Sequence, residues 1–316
     1  MWKSEYLSKI LVVIILLAVL LYYFLLSDVK VLGTQLLTDE TRKPIPLIVH
    51  FIVGQIDQKT ETHYFKHTTP FGIINYLTFL AARRNLRPKK FFVHFYEEPN
   101  TFWWNITKKD REINFSLIKT RLVENIFGHP VYHHSHRSDI LRLEILLKYG
   151  GIYLDTDALT FRSFNSLMNL SDVVMGYQND KEGIIGSSVI LSKKNTAFLR
   201  RIYDAYQSYD YTCWACHATA VPGKLAQLYP QEVVILPMNA FFLPRWSEAN
   251  RFFESNDYNF TSNFASHLWN TQTNDYLSKL TPDIILNGNF TLARMLREAL
   301  GNNTFHILKK LLTDKS

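Results

Sequence analysis

The chain has 316 residues, of which 47% are hydrophobic and 20% charged, and its formal net charge is +7. This composition is typical of a globular protein with a large core, and it excludes an intrinsically disordered chain. Lysine and arginine are scattered in short pairs such as Lys89–Lys90 and Lys108–Lys109. The sequence has no basic stripe of the kind that predicts nucleic-acid binding. The positive net charge is compatible with an anionic substrate.

The N-terminal part of the chain predicts a membrane anchor followed by a stem. Residues 10–26 are an uncharged apolar run at the lower length limit for a membrane-spanning helix. The length of the run and the poor cleavage site after it favour an uncleaved signal anchor over a cleaved signal peptide. Lys3 and Lys9 precede the run and Lys30 follows it, a charge bias that predicts a cytosolic N-terminus. The predicted segments are a cytosolic tail at 1–9, a transmembrane anchor at 10–26, a polar stem at 27–44 and a lumenal domain at 45–316.

Two further features bear on the compartment. Six Asn-x-Ser/Thr sequons are plausible surface glycan sites in a lumenal domain, although ordinary polar loops are the alternative for each. They lie at Asn105, Asn114, Asn169, Asn259, Asn289 and Asn302. The two cysteines, Cys213 and Cys216, frame the segment CWAC. In an oxidising lumen they favour a local disulfide or two buried thiols over a zinc site or a redox site.

The lumenal part alternates predicted strands with predicted helices, which indicates an α/β sheet with parallel strands. The predicted strands are Ile45–Gly54, Lys89–Tyr96, Ile152–Asp155, Asp172–Tyr177, Ser187–Ser192 and Glu232–Pro237. The predicted helices are Phe71–Arg84, Ser138–Tyr149, Thr196–Tyr209 and Phe305–Leu312. Ser138 is expected to cap the second helix and Gly150–Gly151 to end it. Residues 99–110, with two adjacent tryptophans, are expected to form a loop.

Asp155 and Asp157 follow a predicted strand at its carboxyl end, where ligands collect in sheets of this kind. In an extended backbone the two side chains project to the same side, so both carboxylates can face a hard divalent cation. Taken alone, an Asp-x-Asp is more often a solvated strand end. The preceding helix carries Asp139 and Arg142 on one face. They form either a surface ion pair or part of a ligand site near the helix N-terminus.

The segment SDILRLEILLKYGGIYLDTD (Ser138–Asp157) resembles the sugar-binding region with DXD motif of glycosyltransferase family 32. Each element of the family pattern is present: Ser-Asp, an arginine three residues later, Gly-Gly-Ile-Tyr and Asp-x-Asp. The family includes Golgi alpha-1,4-galactosyltransferases and alpha-1,4-N-acetylglucosaminyltransferases. Weaker similarity runs from Ile45 to about Asn270 and includes FFLPRW (Phe241–Trp246) and ASHLWN (Ala265–Asn270).

The resemblance implies a GT-A glycosyltransferase fold, a Rossmann-like mixed sheet flanked by helices, behind the N-terminal transmembrane helix. It implies a metal-dependent, retaining transfer of a hexose or N-acetylhexosamine from a nucleotide sugar, a UDP-sugar being favoured over GDP-mannose. The acceptor would be a glycan, glycolipid or glycoprotein. The enzyme would be a single-pass type II protein of the Golgi membrane with its catalytic domain in the lumen, and it would not bind nucleic acid.

The resemblance also implies roles for individual residues. The expected ligands of Mn²⁺ or Mg²⁺ are Asp155, Asp157 and His267. The expected donor-binding residues are His50, Phe51, Val53, Asp139, Arg142, Asp155 and Trp269. The expected catalytic residues are Asp157, Trp269 and Arg142. The indole N–H of Trp269 would donate to the β-phosphate, since an indole is a donor only. Without the resemblance, His267 would be a structural histidine and Trp269 a core residue.

The chain departs from its relatives at two positions that bear on the donor. Relatives often have a tryptophan near Val53, and they commonly have an asparagine where this chain has Ile185. Both differences put the choice of nucleotide and sugar in question. Two further rival functions stay open: a non-catalytic, membrane-anchored protein that binds a sugar nucleotide or glycan, and a metal-dependent hydrolase or phosphotransferase that uses the same aspartates.

Two other groups of residues have two interpretations each. One interpretation of the cluster His133, His134 and His136 is a metal site. The favoured interpretation is a polar loop. For Trp103 and Trp104 two interpretations are equally favoured: they stack on an acceptor sugar, or they anchor a loop by aromatic burial. The sequence contains no Gly-x-Ser-x-Gly motif, which would have predicted a hydrolase. No Gly-x-Gly-x-x-Gly follows the first strand, which disfavours a dinucleotide-binding enzyme.

Overall fold

The structure, a computed structural model, describes residues 43–56, 70–301 and 304–313. The predicted cytosolic tail, the transmembrane anchor at 10–26 and nearly all of the stem at 27–44 lie outside the described residues, so these remain predictions. Within the described part of the chain, no helix is both long enough and apolar enough to cross a membrane.

The described strands form one large sheet and two small ones. In chain order they are β1 (Ile48–Val53), β2 (Lys90–Phe95), β3 (Ser116–Lys119), β4 (Asn125–Ile126), β5 (His129–Pro130), β6 (Gly151–Leu154), β7 (Ala158–Thr160), β8 (Val173–Asn179), β9 (Ile184–Ser192), β10 (Val234–Leu236) and β11 (Ala265–His267). The large sheet has the order β10-β8-β9-β6-β1-β2-β3, while β7 pairs with β11 and β4 with β5.

The large sheet is mixed rather than wholly parallel. Strands β3, β2, β1 and β6 run parallel, as do β8 and β10, but β9 is antiparallel to both of its neighbours. The reason is the short connection at residues 180–183, because a tight turn can join only antiparallel strands. The expected mixture of strands and helices is confirmed, but β6 to β9 follow one another without an intervening α-helix, and the expectation of parallel strands is wrong for β9.

Helices pack on both faces of the large sheet. They are α1 (Ile73–Leu86), α2 (Phe102–Lys109), α3 (His134–Tyr149), α4 (Ala197–Asp204), α5 (Val221–Leu228), α6 (Arg251–Glu254), α7 (Asn270–Leu277), α8 (Pro282–Asn287), α9 (Thr291–Leu300) and α10 (Thr304–Thr313). Alternate side chains of β6 point to opposite faces. Ile152 and Leu154 join the apolar cluster that contains α1, and Tyr153 joins the cluster that contains α3 and α4.

Two local predictions are wrong. Residues 99–110 are not a loop, because α2 forms there, with the Thr101 hydroxyl accepting the Trp104 N–H at 3.2 Å as an N-cap. Trp104 is fully buried, and its indole donates to Glu98, so it anchors the fold. Helix α3 begins at His134 rather than at Ser138, whose hydroxyl donates to the His134 carbonyl one turn back.

The structure also locates the sequons and the cysteines. The described sequon asparagines are all exposed: Asn105, Asn114, Asn169, Asn259 and Asn289. Asn302 lies outside the described residues. Cys213 and Cys216 form a disulfide with each other. Of the two alternatives that the sequence allowed, a local disulfide and two buried thiols, the disulfide is therefore the one present.

Candidate metal and sugar-nucleotide site

Asp155 and Asp157 lie on the tight turn between β6 and β7. The Asp155 N–H donates to the Ser188 carbonyl of β9 at 2.8 Å, and the Ala158 N–H donates back to the Asp155 carbonyl at 2.9 Å. Strand β7 then pairs with β11, in a register that sets His267 opposite Ala158. This pairing brings a histidine from a distant part of the chain beside the two aspartates.

The side chains of Asp155, Asp157 and His267 converge. One potential ligand atom of each lies within 4.8 Å of the others. The His267 Nε2 is 3.3 Å from Asp157 Oδ1 and 3.9 Å from Asp155 Oδ2. Two carboxylate oxygens and an imidazole nitrogen suit a divalent cation. These three residues, the predicted metal ligands, therefore fit a metal ion by geometry and by chemistry.

Two groups stabilise the charged form of Asp157: the imidazole of His267 and the backbone N–H of Asn270. The Oδ2 of Asp157 accepts the N–H of Asn270, the first residue of α7, at 2.8 Å, so the carboxylate lies at the positive end of a helix. Burial alone would raise the pKa of Asp157, but His267 and the Asn270 N–H hold that pKa below its usual value. Burial would lower the pKa of His267, and Asp157 instead holds it above its usual value. Each partner thus favours the charged form of the other.

Arg142 connects the two predicted donor-binding carboxylates. Its Nη2 lies 3.0 Å from Asp139 and 3.2 Å from Asp155, and its Nη1 donates to the Ser187 carbonyl and hydroxyl at 2.8 and 2.6 Å. The Tyr153 hydroxyl donates to Asp155 at 2.6 Å. The side chain of Arg142 is only 5% exposed, so the interpretation of Asp139 and Arg142 as a surface ion pair is wrong.

Asp139 lies at a cleft beside this network. The apolar side chains around the cleft come from α3, α4, β8, β9 and the α5 region: Leu143, Met175, Ile190, Ile202, Ala218 and Pro222. Burial raises the pKa of Asp139 to about 6, against the charge of Arg142, and the charge of Asp155 raises it further.

Trp269 lies at the site, but its indole N–H already has a partner. It donates to the Pro244 carbonyl at 2.9 Å, and the side chain is buried. The ring packs at 4.2 Å, centroid to centroid, from the ring of His267. In this arrangement Trp269 positions His267, and the predicted donation to a β-phosphate requires the bond to Pro244 to break.

His50, Phe51 and Val53 are not brought to the cluster. The His50 Nε2 donates to the Gly150 carbonyl at 2.9 Å, and Phe51 stacks on Phe79. His50 and Phe51 are fully buried, and Val53 is nearly so. Their side chains are buried as expected for a strand in the parallel part of a sheet. The donor-binding roles of these three residues stay predictions.

The structure adds residues that the sequence analysis did not single out. Ser187 and Tyr153 orient Arg142 and Asp155, and the backbone of Asn270 binds Asp157. Tyr153 is part of the Gly-Gly-Ile-Tyr pattern, which was a usable signal. Asn270 ends the segment ASHLWN, which also resembles the family, whereas Ser187 reaches the site only through sheet pairing.

The histidine cluster does not form a metal site. The Nδ1 of His136 lies 2.6 Å from the Tyr209 hydroxyl, and its Nε2 lies 3.1 Å from the Trp214 carbonyl. Of the described residues, only the group Asp155, Asp157 and His267 has ligand atoms arranged for a metal. Ile185, where relatives have an asparagine, is fully buried in the cluster with α3 and α4.

Comparisons with known proteins agree with the site. Residues 84–174 match a family described as "Glycosyltransferase sugar-binding region containing DXD motif", a range that contains Asp139, Arg142, Asp155 and Asp157. The chain is 32% identical over 247 residues to "Glucan organizing enzyme 1" of Cryptococcus neoformans var. grubii, with coverage of 74% of this chain and 66% of that protein.

Two more distant similarities span less sequence or show lower identity. The chain is 24% identical over 157 residues to lactosylceramide 4-alpha-galactosyltransferase of Gorilla gorilla gorilla, with coverage of 43% of this chain and 45% of that protein. A glycosyltransferase structure, GlyE of Streptococcus pneumoniae, aligns with a TM-score of 0.47 and 12% identity over 86% of this chain and 64% of that one. The chain spans just under two thirds of the fungal relative and under half of the galactosyltransferase.

Proposed function

We propose that this chain is a metal-dependent, retaining glycosyltransferase of family 32 with a GT-A fold, a proposal supported by the match of residues 84–174 to the DXD-containing sugar-binding region. It transfers a hexose or N-acetylhexosamine from a UDP-sugar to a glycan, glycolipid or glycoprotein. The convergence of Asp155, Asp157 and His267 beside the Asp139–Arg142 pair carries this proposal.

The chain's own residues account for binding and orientation. Asp155, Asp157 and His267 would hold Mn²⁺ or Mg²⁺, which supplies positive charge for the diphosphate leaving group when it is bound. Asp139 and Arg142, which lie beside the metal cluster, would bind sugar hydroxyls of the donor. Arg142 is fixed by two carboxylates and by Ser187, so its orientation is set before the donor arrives.

The retaining reaction needs no dedicated protein base in this proposal. The acceptor hydroxyl attacks from the face that the nucleoside diphosphate leaves, and a leaving phosphate oxygen takes the hydroxyl proton. Trp269, once its indole N–H is released from Pro244, would donate to that phosphate. We further propose that the enzyme is a type II protein of the Golgi membrane, anchored by residues 10–26 and acting in glycan biosynthesis.

The relatives narrow the donor and the acceptor. Their names point to a glucan for the fungal protein and to transfer of galactose to lactosylceramide for the mammalian one. Both names favour a hexose over an N-acetylhexosamine. Glucose and galactose linked to UDP are therefore the first donors to test.

The experiment uses the full chain, purified in detergent, with UDP-glucose, UDP-galactose, UDP-N-acetylglucosamine and GDP-mannose. We expect one UDP-hexose to raise the Tm in Mn²⁺ and to be slowly hydrolysed, and EDTA to abolish both effects. A ligand at 100 times its Kd stabilises a protein by about 2.7 kcal/mol. If none of the four donors raises the Tm or is hydrolysed, the proposal is wrong.

Asp157→Asn is the decisive variant in that assay. It removes one carboxylate charge from the three predicted ligands and should abolish the Mn²⁺-dependent rise in Tm and the hydrolysis. Asp257→Asn is the matched control, because Asp257 is an exposed carboxylate outside the cluster. If Asp157→Asn retains the activity of the Asp257→Asn control, the aspartate has no role in metal or donor binding.

The rival functions predict other outcomes. A non-catalytic binding protein, which the Ile185 departure favours, would show donor stabilisation with neither hydrolysis nor transfer. A metal-dependent hydrolase or phosphotransferase would need further carboxylate ligands, and the described residues contain no second such group.

A further inference from the structure

Two segments bring exposed aromatic rings together near the candidate site. The first segment comes directly before α3 and carries Tyr132 and His133. The second segment is the loop before Cys216 and carries Tyr211 and Trp214. The rings of Tyr132 and Tyr211 lie 5.2 Å apart, and those of His133 and Trp214 lie 5.4 Å apart. Tyr132, Tyr211 and Trp214 are 44%, 48% and 54% exposed. We call Tyr132, His133, Tyr211 and Trp214 the aromatic platform.

The platform is continuous with the candidate site. Trp214 and Asp139 line the same small, closed pocket, together with His136, Tyr209 and His217. Asp139 is also part of the apolar cleft already described and pairs with Arg142. A molecule lying on the platform would therefore be close to the place where the donor sugar is proposed to bind.

A buried polar atom in this pocket has no partner among the described residues. His217 is 7% exposed, and its Nδ1 has no hydrogen-bond partner among the described residues. Its ring packs between Tyr206 and Tyr209, with centroids 5.0 and 5.5 Å away. A buried ring nitrogen without a partner is unfavourable by about 1–3 kcal/mol.

The loop that carries Trp214 is held in place before any ligand binds. The Cys213–Cys216 disulfide closes it, and Asp210 accepts from the Thr212 N–H and hydroxyl at 2.9 and 2.7 Å. The His136 Nε2 donates to the Trp214 carbonyl at 3.1 Å. A ring that is oriented in advance loses little entropy when it binds a ligand.

We propose that the aromatic platform binds a sugar ring of the acceptor saccharide and directs its reacting hydroxyl toward Asp139. The face of a pyranose presents C–H groups and its edge presents hydroxyls, which matches aromatic faces with polar groups nearby. The nearby Arg137 is buried and donates to the Val131 and Gln55 carbonyls, so the exposed rings suit a neutral saccharide rather than a phosphate. This inference rests on the proposed transferase function and replaces Trp103–Trp104 as the site of acceptor stacking.

Saturation-transfer NMR on the full chain tests the platform directly. The probes are lactose, cellobiose, laminaribiose, mannobiose and N,N′-diacetylchitobiose. We expect at least one to bind the wild type, Trp214→Ala and Tyr211→Ala to weaken that binding at least fivefold, and Trp214→Phe to recover part of it. Phe102→Ala is the matched control, because Phe102 is a similarly exposed ring (45%) on α2 beside the tryptophan pair.

The outcomes separate the platform from the transferase proposal. Metal-dependent hydrolysis of the nucleotide sugar should be unchanged in the platform variants, because they do not touch the metal cluster. If Trp214→Ala binds the probe like the wild type, if Phe102→Ala loses as much, or if the wild type binds no probe, the platform is wrong. If the wild type hydrolyses no nucleotide sugar, the transferase proposal fails, whereas saccharide binding at Trp214 is still measured by NMR.

Discussion

At the residue scale, Arg142 is the group on which the candidate site depends most. It pairs with Asp139 and Asp155, donates to Ser187 and lies over the ring of Tyr153 at 4.7 Å. Burial would lower the pKa of Arg142, but Asp155, Tyr153 and Asp139 hold that pKa above its usual value. A planar guanidinium can serve several oxygens at once, and an ammonium group cannot do so in the same geometry.

We therefore expect Arg142→Lys to be strongly destabilising. Lysine would leave one of the two carboxylates or Ser187 poorly paired, and breaking a buried ion pair costs about 3 kcal/mol or more. Urea unfolding measures the loss. Arg201→Lys is the control, because Arg201 pairs with Glu232 at a site where the arginine is 38% exposed, and exposed pairs contribute less than about 1 kcal/mol. Equal losses in the two variants would contradict the argument.

At the element scale, the connection from α3 to β6 positions the two aspartates. Gly150 ends the helix, and Gly151 begins the strand with φ of +116°. Strand β6 packs so closely against β1 that a Cβ on Gly151 would lie 2.5 Å from the Ile48 carbonyl oxygen. The Gly-Gly pair thus allows a helix to turn directly into a central strand, and Asp155 follows that strand immediately.

Gly151→Ala should disrupt this connection. Backbone strain at positive φ costs about 1–3 kcal/mol, and the contact with Ile48 additionally forces β6 away from β1. Gly301→Ala is a matched control, since Gly301 also has positive φ but a Cβ there would meet nothing within 4 Å. Thermal unfolding followed by circular dichroism should show a clearly larger fall in Tm for Gly151→Ala. A fall no larger than that of the control would refute the steric account.

At the scale of the whole molecule, two buried histidines link the central strands. His50 and His94 lie on β1 and β2, with His50 Nδ1 3.0 Å from His94 Nε2, and the rings of Tyr149 and Phe92 pack against them. Because the His50 Nε2 donates to Gly150, its Nδ1 must accept from His94. Burial lowers the pKa of His50 to about 4 and that of His94, helped by the charge on His50, to about 3.

These pKa values predict that stability falls in mild acid. The unfolded histidines bind protons below about pH 6.5, while the folded ones stay neutral down to about pH 4. The free energy of unfolding should therefore be highest above pH 6.5 and fall as the pH drops toward 4, by about 1.4 kcal/mol per pH unit for each histidine. Urea unfolding between pH 7.5 and 4.5 measures the slope. His94→Gln, which cannot take up a proton, should reduce it, and an unchanged slope would contradict this assignment.

The sequence alone predicted most of the helices and strands and several residues of the candidate site. Helical and strand periodicity depend on the local backbone, so the alternation of elements, the shared helix face of Asp139 and Arg142 and the position of Asp155 and Asp157 after a strand could all be predicted. The family pattern added His267 as a candidate. The burial of His50 and Phe51 was missed, because a strand's periodicity does not show which of its faces is covered.

Only the tertiary structure decided how these parts meet. The pairing of β7 with β11 brings His267 to the aspartates, the start of α7 binds Asp157, and the engagement of Trp269 with Pro244 removes its indole N–H from the site. The aromatic platform likewise joins two segments distant in sequence. Such contacts depend on long-range register and packing, which the sum of the whole core determines and no local stretch of sequence encodes.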